Sequence, residues 1–174
     1  MLKIEITGSV SVANSSLVMY EEEFERIKQL LNRLRIDASA KIVFLVDKNG
    51  QQIAGAGEVD SVDTTSLASL TAGNVAATDG LAKLIGEKEF SILFHEGRKD
   101  NIHISIVGQR LILVVIFDER SSLGLVRLRV RKASADIERV LGDIELKAQE
   151  VGIEEAESPF AEITDEDIDA LFSE

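Results

Sequence analysis

The side chains that could carry out chemistry are few in this sequence, and they do not cluster. The only two histidines, His95 and His103, both fall in segments with the pattern of β-strands. Neither has a carboxylate or a second imidazole at a spacing typical of metal sites, so the sequence favours structural histidines over ligands. Cysteine is absent, which excludes disulfides, thiolate ligands and cysteine nucleophiles.

The motifs of nucleotide-binding proteins and hydrolases are also missing. Gly108 follows an apolar segment, but no GxGxxG or GxxxxGK[ST] pattern surrounds it. No serine lies in a nucleophile-elbow pattern, and the scattered carboxylates show no spacing that singles out an acid and base pair. We therefore predict that the chain has no catalytic residue, no cofactor and no metal site.

The negative charge is concentrated at the C-terminal end. The chain carries a net charge of −12, and residues 143–174 hold twelve acidic residues and one lysine, so residues 1–142 contribute only −1. A nearly neutral body with an acidic tail argues against nucleic-acid binding, which needs an excess of Lys and Arg. No apolar run is long enough to span a membrane, and a cytoplasmic protein is expected.

One group of cations stands out near residue 127. It comprises Arg120, Arg127, Arg129, Arg131 and Lys132. It is either a solvated helix face or a patch that pairs with an acidic surface, on a partner or in the tail.

Alternation and helical periodicity locate the elements. Leu2, Ile4 and Ile6 predict a short strand, either an added edge strand or a flexible arm, and a helix is expected from about Met19. A hairpin follows over residues 41–57, with Asn49-Gly50 expected to form a type I′ turn. Strands are predicted at 90–95, 102–107 and 111–117, and a third helix at about 122–150.

The helix predicted over residues 63–87 is unusual because small residues line part of its surface. Leu70, Ala77, Leu81 and Leu84 form one apolar stripe, interpreted as the core face. A second stripe, the small stripe, consists of Ser69, Gly73, Ala76 and Gly80. Each interior glycine costs about 1 kcal/mol relative to alanine, so we expect a helix or partner protein to approach this stripe closely.

The tail has the pattern of a short acidic amphipathic helix after the only proline. Phe160, Ile163, Ile168, Leu171 and Phe172 form one apolar edge. It either docks on a partner or is a free tail. The order of helix, two strands, helix, three strands, helix and tail predicts an α+β domain.

Several of these segments resemble the Roadblock family of small dimeric, dynein-light-chain-like proteins. The resemblance extends from about Leu17 to the chain end and includes VMYEEEF, KIVFLVDKNGQ, SLASLTAGNVAATDGLAKLIGE, FHEG, LILVVIFD, SSLGLVRLR and the closing SPFAEI and DIDALFSE. It implies a Roadblock/profilin-like fold, with a five-stranded antiparallel sheet, helices on its faces and an acidic C-terminal tail helix. It divides the chain into an N-terminal extension or edge strand at 1–16, a Roadblock domain at 17–150 and the tail at 151–174.

The same resemblance implies a function in regulation, with no catalytic site of the chain's own. It implies a homodimer that binds one Ras-like small GTPase of the MglA type and activates its GTP hydrolysis without an arginine finger, in control of cell polarity and gliding motility, in the cytoplasm and in part at a cell pole. It places the GTPase contact at Ala76 and Gly80, to which geometry adds Ser69 and Gly73. The tail resembles a segment that reaches the GTPase and favours nucleotide exchange, with Phe160, Ile168, Leu171 and Phe172 as anchors.

Two points remain open at the level of sequence. A non-catalytic scaffold or motor adaptor is the alternative function, since Roadblock proteins also serve as light chains and adaptors. The segment 1–16 is longer than the resemblance leads us to expect, and its role is undetermined.

Overall fold

A computed structural model describes residues 3–5 and 18–156 of the chain. The strands are β1 Lys3–Glu5, β2 Val18–Tyr20, β3 Ile42–Asp47, β4 Gln52–Gly57, β5 Ile92–His95, β6 Asn101–Val107 and β7 Leu111–Phe117. The helices are α1 Glu21–Asp37, α2 Thr64–Leu84 and α3 Leu123–Ala156, with a 3-10 turn at Val59–Ser61.

Five strands form one antiparallel sheet in the order β4-β3-β7-β6-β5. The predicted α+β fold with a five-stranded antiparallel sheet and helices on both faces is confirmed. The interior strands β3 and β7 are buried along nearly their whole length, as their continuous apolar runs predict.

Helices α1 and α3 cover one face of the sheet. The core there joins Ile27 and Leu31 of α1 to Val115 and Phe117 of β7 and to one stripe of α3. The α3 stripe consists of Val126, Val130, Ala133, Ile137, Val140 and Ile144, all buried. These residues recur in alternating steps of three and four, which places them on one side of the helix.

Ion pairs join α1 and α3 near the start of α1. The Arg26 guanidinium lies 2.8 Å from the Asp143 carboxylate. Lys147 pairs with Glu23, whose side chain is fully buried, and this hydrogen bond raises the pKa of Lys147 above its ordinary value. The far half of α3 is thereby fixed to α1.

The beginning of the chain differs from the prediction. Residues Val18–Tyr20 form strand β2, so α1 begins at Glu21 and not at Met19. Strand β1 pairs with β2 in a separate two-stranded sheet, which means that it is not an added edge strand of the main sheet. The apolar spacing that marks α1 extends into β2 because Met19 packs in the same core as Ile27.

The β3–β4 connection is not the type I′ turn that Asn49-Gly50 predicts. Gly50 has a φ of +87°, but Asn49 is not among the described residues with positive φ. The Asp47 carboxylate instead accepts hydrogen bonds from the backbone N–H groups of Asn49, at 2.9 Å, and Gln51, at 2.8 Å. This Asx-type arrangement holds the loop with only Gly50 in the left-handed region.

The apolar stripe of α2 is not the core face that its helical spacing predicts. Leu70 is 71% exposed, Leu81 56% and Leu84 83%, and Ala77 is exposed as well. The opposite side of the helix is buried, with Ala68, Thr71, Ala72, Val75 and Ala82. Apolar residues occur on both sides of α2, and the sheet packs against the side with the smaller ones.

Candidate partner-binding surface

Helix α2 lies on the sheet face opposite to α1 and α3, and Asp63 caps its N-terminus. Asp63 accepts hydrogen bonds from the backbone N–H of Ser66, at 3.1 Å, and from the Ser66 hydroxyl, at 2.6 Å. The hydroxyl and then the backbone bond lower the pKa of Asp63 below its ordinary value. A charged carboxylate at this end also interacts favourably with the helix dipole.

Small side chains bring the α2 backbone close to the sheet. Ala68, Ala72 and Val75 pack on a layer of β-branched and aromatic residues from the interior strands, which includes Phe44 and Val114. A Cβ added at Gly50 would lie 2.9 Å from the Cα of Ser69, so the β3–β4 loop also approaches the helix closely. The position of α2 therefore depends on its small residues.

The four residues of the small stripe are all exposed. Ser69, Gly73, Ala76 and Gly80 lie together on the outer surface of α2, and a Cβ at Gly73 or Gly80 would meet nothing within 4 Å. Within the described residues, no other helix covers this stripe. A second protein surface could therefore approach the backbone of α2 along these positions.

Large apolar side chains border the small stripe. Leu70, Leu81, Leu84 and Ile85 are each more than half exposed on the same outward side. Monomeric soluble proteins rarely expose large contiguous apolar patches, and such patches mark interaction sites. The outward surface of α2, which we call the α2 face, consists of these residues and the small stripe.

A shallow groove lies at the N-terminal end of α2, between the helix and strands β6 and β7. Its volume is about 410 Å³, and its apolar lining is provided by Val62, Leu67, Leu70, Ile102 and Ile116. Polar groups at the rim come from Asp63, Ser66 and Asp100. The groove extends the apolar surface from α2 onto the part of the sheet that the helix leaves uncovered.

The two histidines occupy different environments, and neither forms a reactive cluster. His95 is exposed at the end of β5, where its Nε2 lies 3.4 Å from the amide nitrogen of Asn74 on α2. His103 is fully buried on the opposite face of the sheet, beneath α3. Within residues 18–156 there is no group of three or more His, Asp or Glu residues that could hold a metal ion.

Burial and a nearby guanidinium control the protonation of His103. Desolvation, and secondarily the charge of Arg127, lower its pKa to about 4. Neither ring nitrogen has a hydrogen-bond partner among the described residues. His103 is thus a neutral core residue at neutral pH, and no pattern in the sequence distinguishes it from the exposed His95.

The predicted tail anchors lie outside the described residues, which end at Ala156. These are Phe160, Ile168, Leu171 and Phe172. Helix α3 continues through residue 150, the predicted end of the Roadblock domain. No helix in the described part of the chain is long and apolar enough to cross a membrane.

The sheet and α2 together match the sequence profile of a known domain. The profile of the Roadblock/LC7 domain matches residues 26–117, which contain the whole five-stranded sheet and α2. The chain belongs to the Roadblock/LC7 family. A comparison with curated protein sequences gave no match.

Within the Roadblock/LC7 family, three solved structures of MglB proteins are similar to this chain. Myxococcus xanthus MglB is 62% identical to this chain, with a TM-score of 0.70, over 74% of this chain and 96% of that one. A structure of MglB with tetrameric arrangement is 30% identical, with a TM-score of 0.70, over 76% and 99% of the two chains. The gliding protein MglB from Thermus thermophilus is 32% identical, with a TM-score of 0.69, over 75% and 99%.

Proposed function

We propose that this Roadblock protein is a homodimeric activator of GTP hydrolysis by a Ras-like small GTPase of the MglA type. The main support is the 62% identity to Myxococcus xanthus MglB across 96% of that chain. The exposed α2 face adds to it, because this face offers a docking surface without any catalytic group of its own. The output of the complex would be cell polarity and gliding motility, in the cytoplasm and at a cell pole.

The composition of the α2 face limits the mechanism. Ser69, Gly73, Ala76 and Gly80 provide no general base and no cation, so the chain would not contribute an arginine finger from these positions. Such a surface can accelerate hydrolysis by binding the active conformation of the switch regions more tightly than the resting one. The GTPase's own residues would then be held in place for in-line attack by water.

Homodimerisation would account for the part of the α2 face that one GTPase leaves uncovered. Leu81, Leu84 and Ile85 lie toward the C-terminal end of α2, and strand β5 is an edge strand of the sheet among the described residues. A second copy that packed on this end would bury the large apolar side chains and pair the exposed edge. One GTPase per dimer would occupy the remaining small stripe.

The tail would supply a second contact with the GTPase. Phe160, Ile168, Leu171 and Phe172 are the proposed anchors, and the same segment would favour nucleotide exchange. We further propose that residues 1–16 form an extension, residues 17–150 the Roadblock domain and residues 151–174 the tail. The chain itself would act as a regulator with no catalytic site.

The direct test is GTP hydrolysis by the cognate MglA-type GTPase with and without this protein. We expect faster single-turnover hydrolysis with the wild-type chain, and loss of the stimulation with Ala76→Arg or Gly80→Arg. Ile36→Arg is the matched control, because Ile36 is an exposed apolar residue of α1, on the opposite side of the sheet. Binding without any change in hydrolysis would support the alternative function, a scaffold or motor adaptor.

A further inference from the structure

Positive charge is concentrated in the first three turns of α3. Arg127, Arg131 and Lys132 are all exposed there, in the half of the helix that includes its N-terminus. Arg127 and Arg131 lie four residues apart, so their like charges are neighbours on the helix surface and repel each other. Cations that occur at these positions despite the repulsion between them are expected to have a function.

These cations surround an exposed leucine and form no salt bridge among residues 19–150. Leu128 is 61% exposed, and none of Arg127, Arg131 and Lys132 lies within 4.0 Å of a carboxylate in that range. The nearest acidic residue along the helix, Asp136, pairs with Arg139 at 2.8 Å. We call Arg127, Leu128, Arg131 and Lys132 the basic face of α3.

The outer surface of α3 beyond the basic face carries small residues, which leave room for a second helix. Ala135 is exposed, and a Cβ at Gly142 would meet no atom within 4 Å. Both positions lie between Leu128 and Leu146 on the same side of the helix, at seven-residue and four-residue steps. The exposed Glu138 and Glu145 make the rest of this surface acidic, so an acidic amphipathic segment would find its cations and apolar anchor at the basic face itself.

We propose that the basic face of α3 is the docking site of the last part of the chain's own tail, residues 157–174. These residues include seven acidic ones and no Lys or Arg, which makes their charge complementary to that of the basic face. Its acidic cluster faces the cations, and Leu171 and Phe172 cover Leu128. This docking needs only the chain itself and does not depend on the proposed GTPase partner.

The length of the tail fits this site. From Ala156 back to Leu128 the helix axis measures about 42 Å at 1.5 Å per residue. Residues 157–171 in an extended conformation can span about 50 Å. Pro159 disfavours continuation of α3, which permits a reversal of direction. The aromatic end of the tail can therefore reach Leu128.

The docked tail has a regulatory consequence. A tail held on α3 lies on the side of the sheet opposite to the α2 face, so it is withheld from any partner bound there. Release of the tail requires that a partner compete with the basic face. Because surface ion pairs weaken as salt screens them, the docked population falls at high ionic strength.

A paramagnetic label at the end of the tail tests the proposal on the full-length chain. The sequence has no cysteine, so Ser173→Cys provides a single attachment site and leaves the anchors Leu171 and Phe172 intact. We expect the amide signals of residues 127–135 to relax several-fold faster than those of residues 69–80 on α2. Arg131→Glu with Lys132→Glu in the same chain should remove the difference, and both changes fall on exposed side chains outside the core.

A mixed sample distinguishes docking of the tail within its own chain from docking on a second chain. A spin-labelled chain without isotope enrichment is combined with an isotope-enriched chain that carries no spin label. Docking within one chain is supported if the amide signals of residues 127–135 broaden in the chain that carries both labels and not in this mixture. Equal relaxation on α2 and α3, persistence in the charge-reversed variant, or broadening that arises only between chains would overturn the proposal.

Discussion

At the scale of single residues, most of the largest apolar side chains of α2 lie on its exposed side. Ala68 and Ala72 are buried against the sheet, while Leu70 and Leu84 are exposed. This arrangement reverses the usual preference for burying the larger side chain, which is worth about 1.5–3 kcal/mol for a leucine. Exposed leucines on a helix that is otherwise well packed are therefore evidence for a partner surface.

His103 gives a residue-scale prediction about pH. Its folded pKa of about 4 lies below the ordinary value of 6.5, so the unfolded chain binds the proton more readily. The contribution of neutral His103 to stability is complete above pH 6.5 and is lost as the pH falls from 6.5 toward 4. We expect a loss on the order of 1 kcal/mol between pH 7 and pH 5, measured by urea unfolding.

The control for this prediction is His103→Leu. The variant should show a flatter dependence of its unfolding free energy on pH in the same range, because the titrating group is gone. Asp63 and Asp118, whose carboxyl pKa values are lowered, lose their charge only at more acidic pH and do not interfere. An identical pH dependence in wild type and variant would mean that His103 is not the group responsible.

At this scale, the sequence predicts which side of a helix is buried only where charged residues mark the exposed side. In α3, arginines and acidic residues separate Val126, Val130 and Ile137, and the buried stripe follows directly. In α2 there are few charges to mark the outer side. Two apolar faces then look equivalent in the sequence, and only the sheet decides which of them is internal.

At the scale of elements, α2 carries two glycines on its exposed surface, and they lower its intrinsic helix stability. A Cβ at Gly73 or Gly80 would meet open space, so nothing inside the described chain requires glycine there. We expect Gly73→Ala and Gly80→Ala each to raise the unfolding free energy by about 0.5–1 kcal/mol. The same variants should weaken stimulation of the GTPase, because the added methyl groups hold the partner away.

The two readouts for the glycine variants are chemical unfolding and single-turnover hydrolysis. Gly142→Ala on α3 is the matched control, since its Cβ also meets nothing within 4 Å but lies away from α2. It should stabilise the chain by a similar amount and leave stimulation unchanged. Lower stability of Gly80→Ala with normal stimulation would indicate that the small stripe is closed by the protein itself or by a second copy.

The core stripe of α3 gives a second prediction at this scale. Ile137 is fully buried in the core between the helices and the sheet, and Ile137→Ala should cost about 2–5 kcal/mol through lost burial and the cavity left behind. Leu146→Ala is the control, because Leu146 is 61% exposed on the outer side of the same helix. Equal losses of melting temperature in the two variants would be inconsistent with the orientation of α3.

The elements themselves follow from the sequence more fully than their connections. Runs such as LILVVIF define β7 at Leu111–Phe117, as predicted, because a buried interior strand must be apolar on both faces. The turn after β3 is predicted wrongly because the Asp47 side chain, and not the Asn-Gly pair alone, determines its geometry. The pairing of β1 with β2 depends on residues far apart in sequence, which local patterns do not specify.

At the scale of the whole molecule, the sheet separates two surfaces with different properties. The α2 face is apolar and lined with small residues, while the outer surface of α3 is basic near its start. The acidic tail follows the far end of α3. The molecule thus places the proposed docking surface for the GTPase and the proposed site of the tail on opposite sides of one sheet.

Removal of the tail gives the prediction that belongs to this scale. Truncation after Ala156 should leave the thermal unfolding transition of the body in place, because the two core clusters are formed by residues 19–144. Affinity for the GTPase or nucleotide exchange should weaken, as measured by fluorescent-nucleotide release. Loss of the cooperative transition in the truncated chain would show that the tail is part of the core.

The decisive measurement for the proposed function is the single-turnover rate of GTP hydrolysis by the MglA-type GTPase. The rate is compared for wild type, Ala76→Arg and the Ile36→Arg control. We expect stimulation of roughly tenfold or more with wild type and control, and none with Ala76→Arg. Undiminished stimulation by folded Ala76→Arg would contradict the assignment of the α2 face as the surface that activates the GTPase.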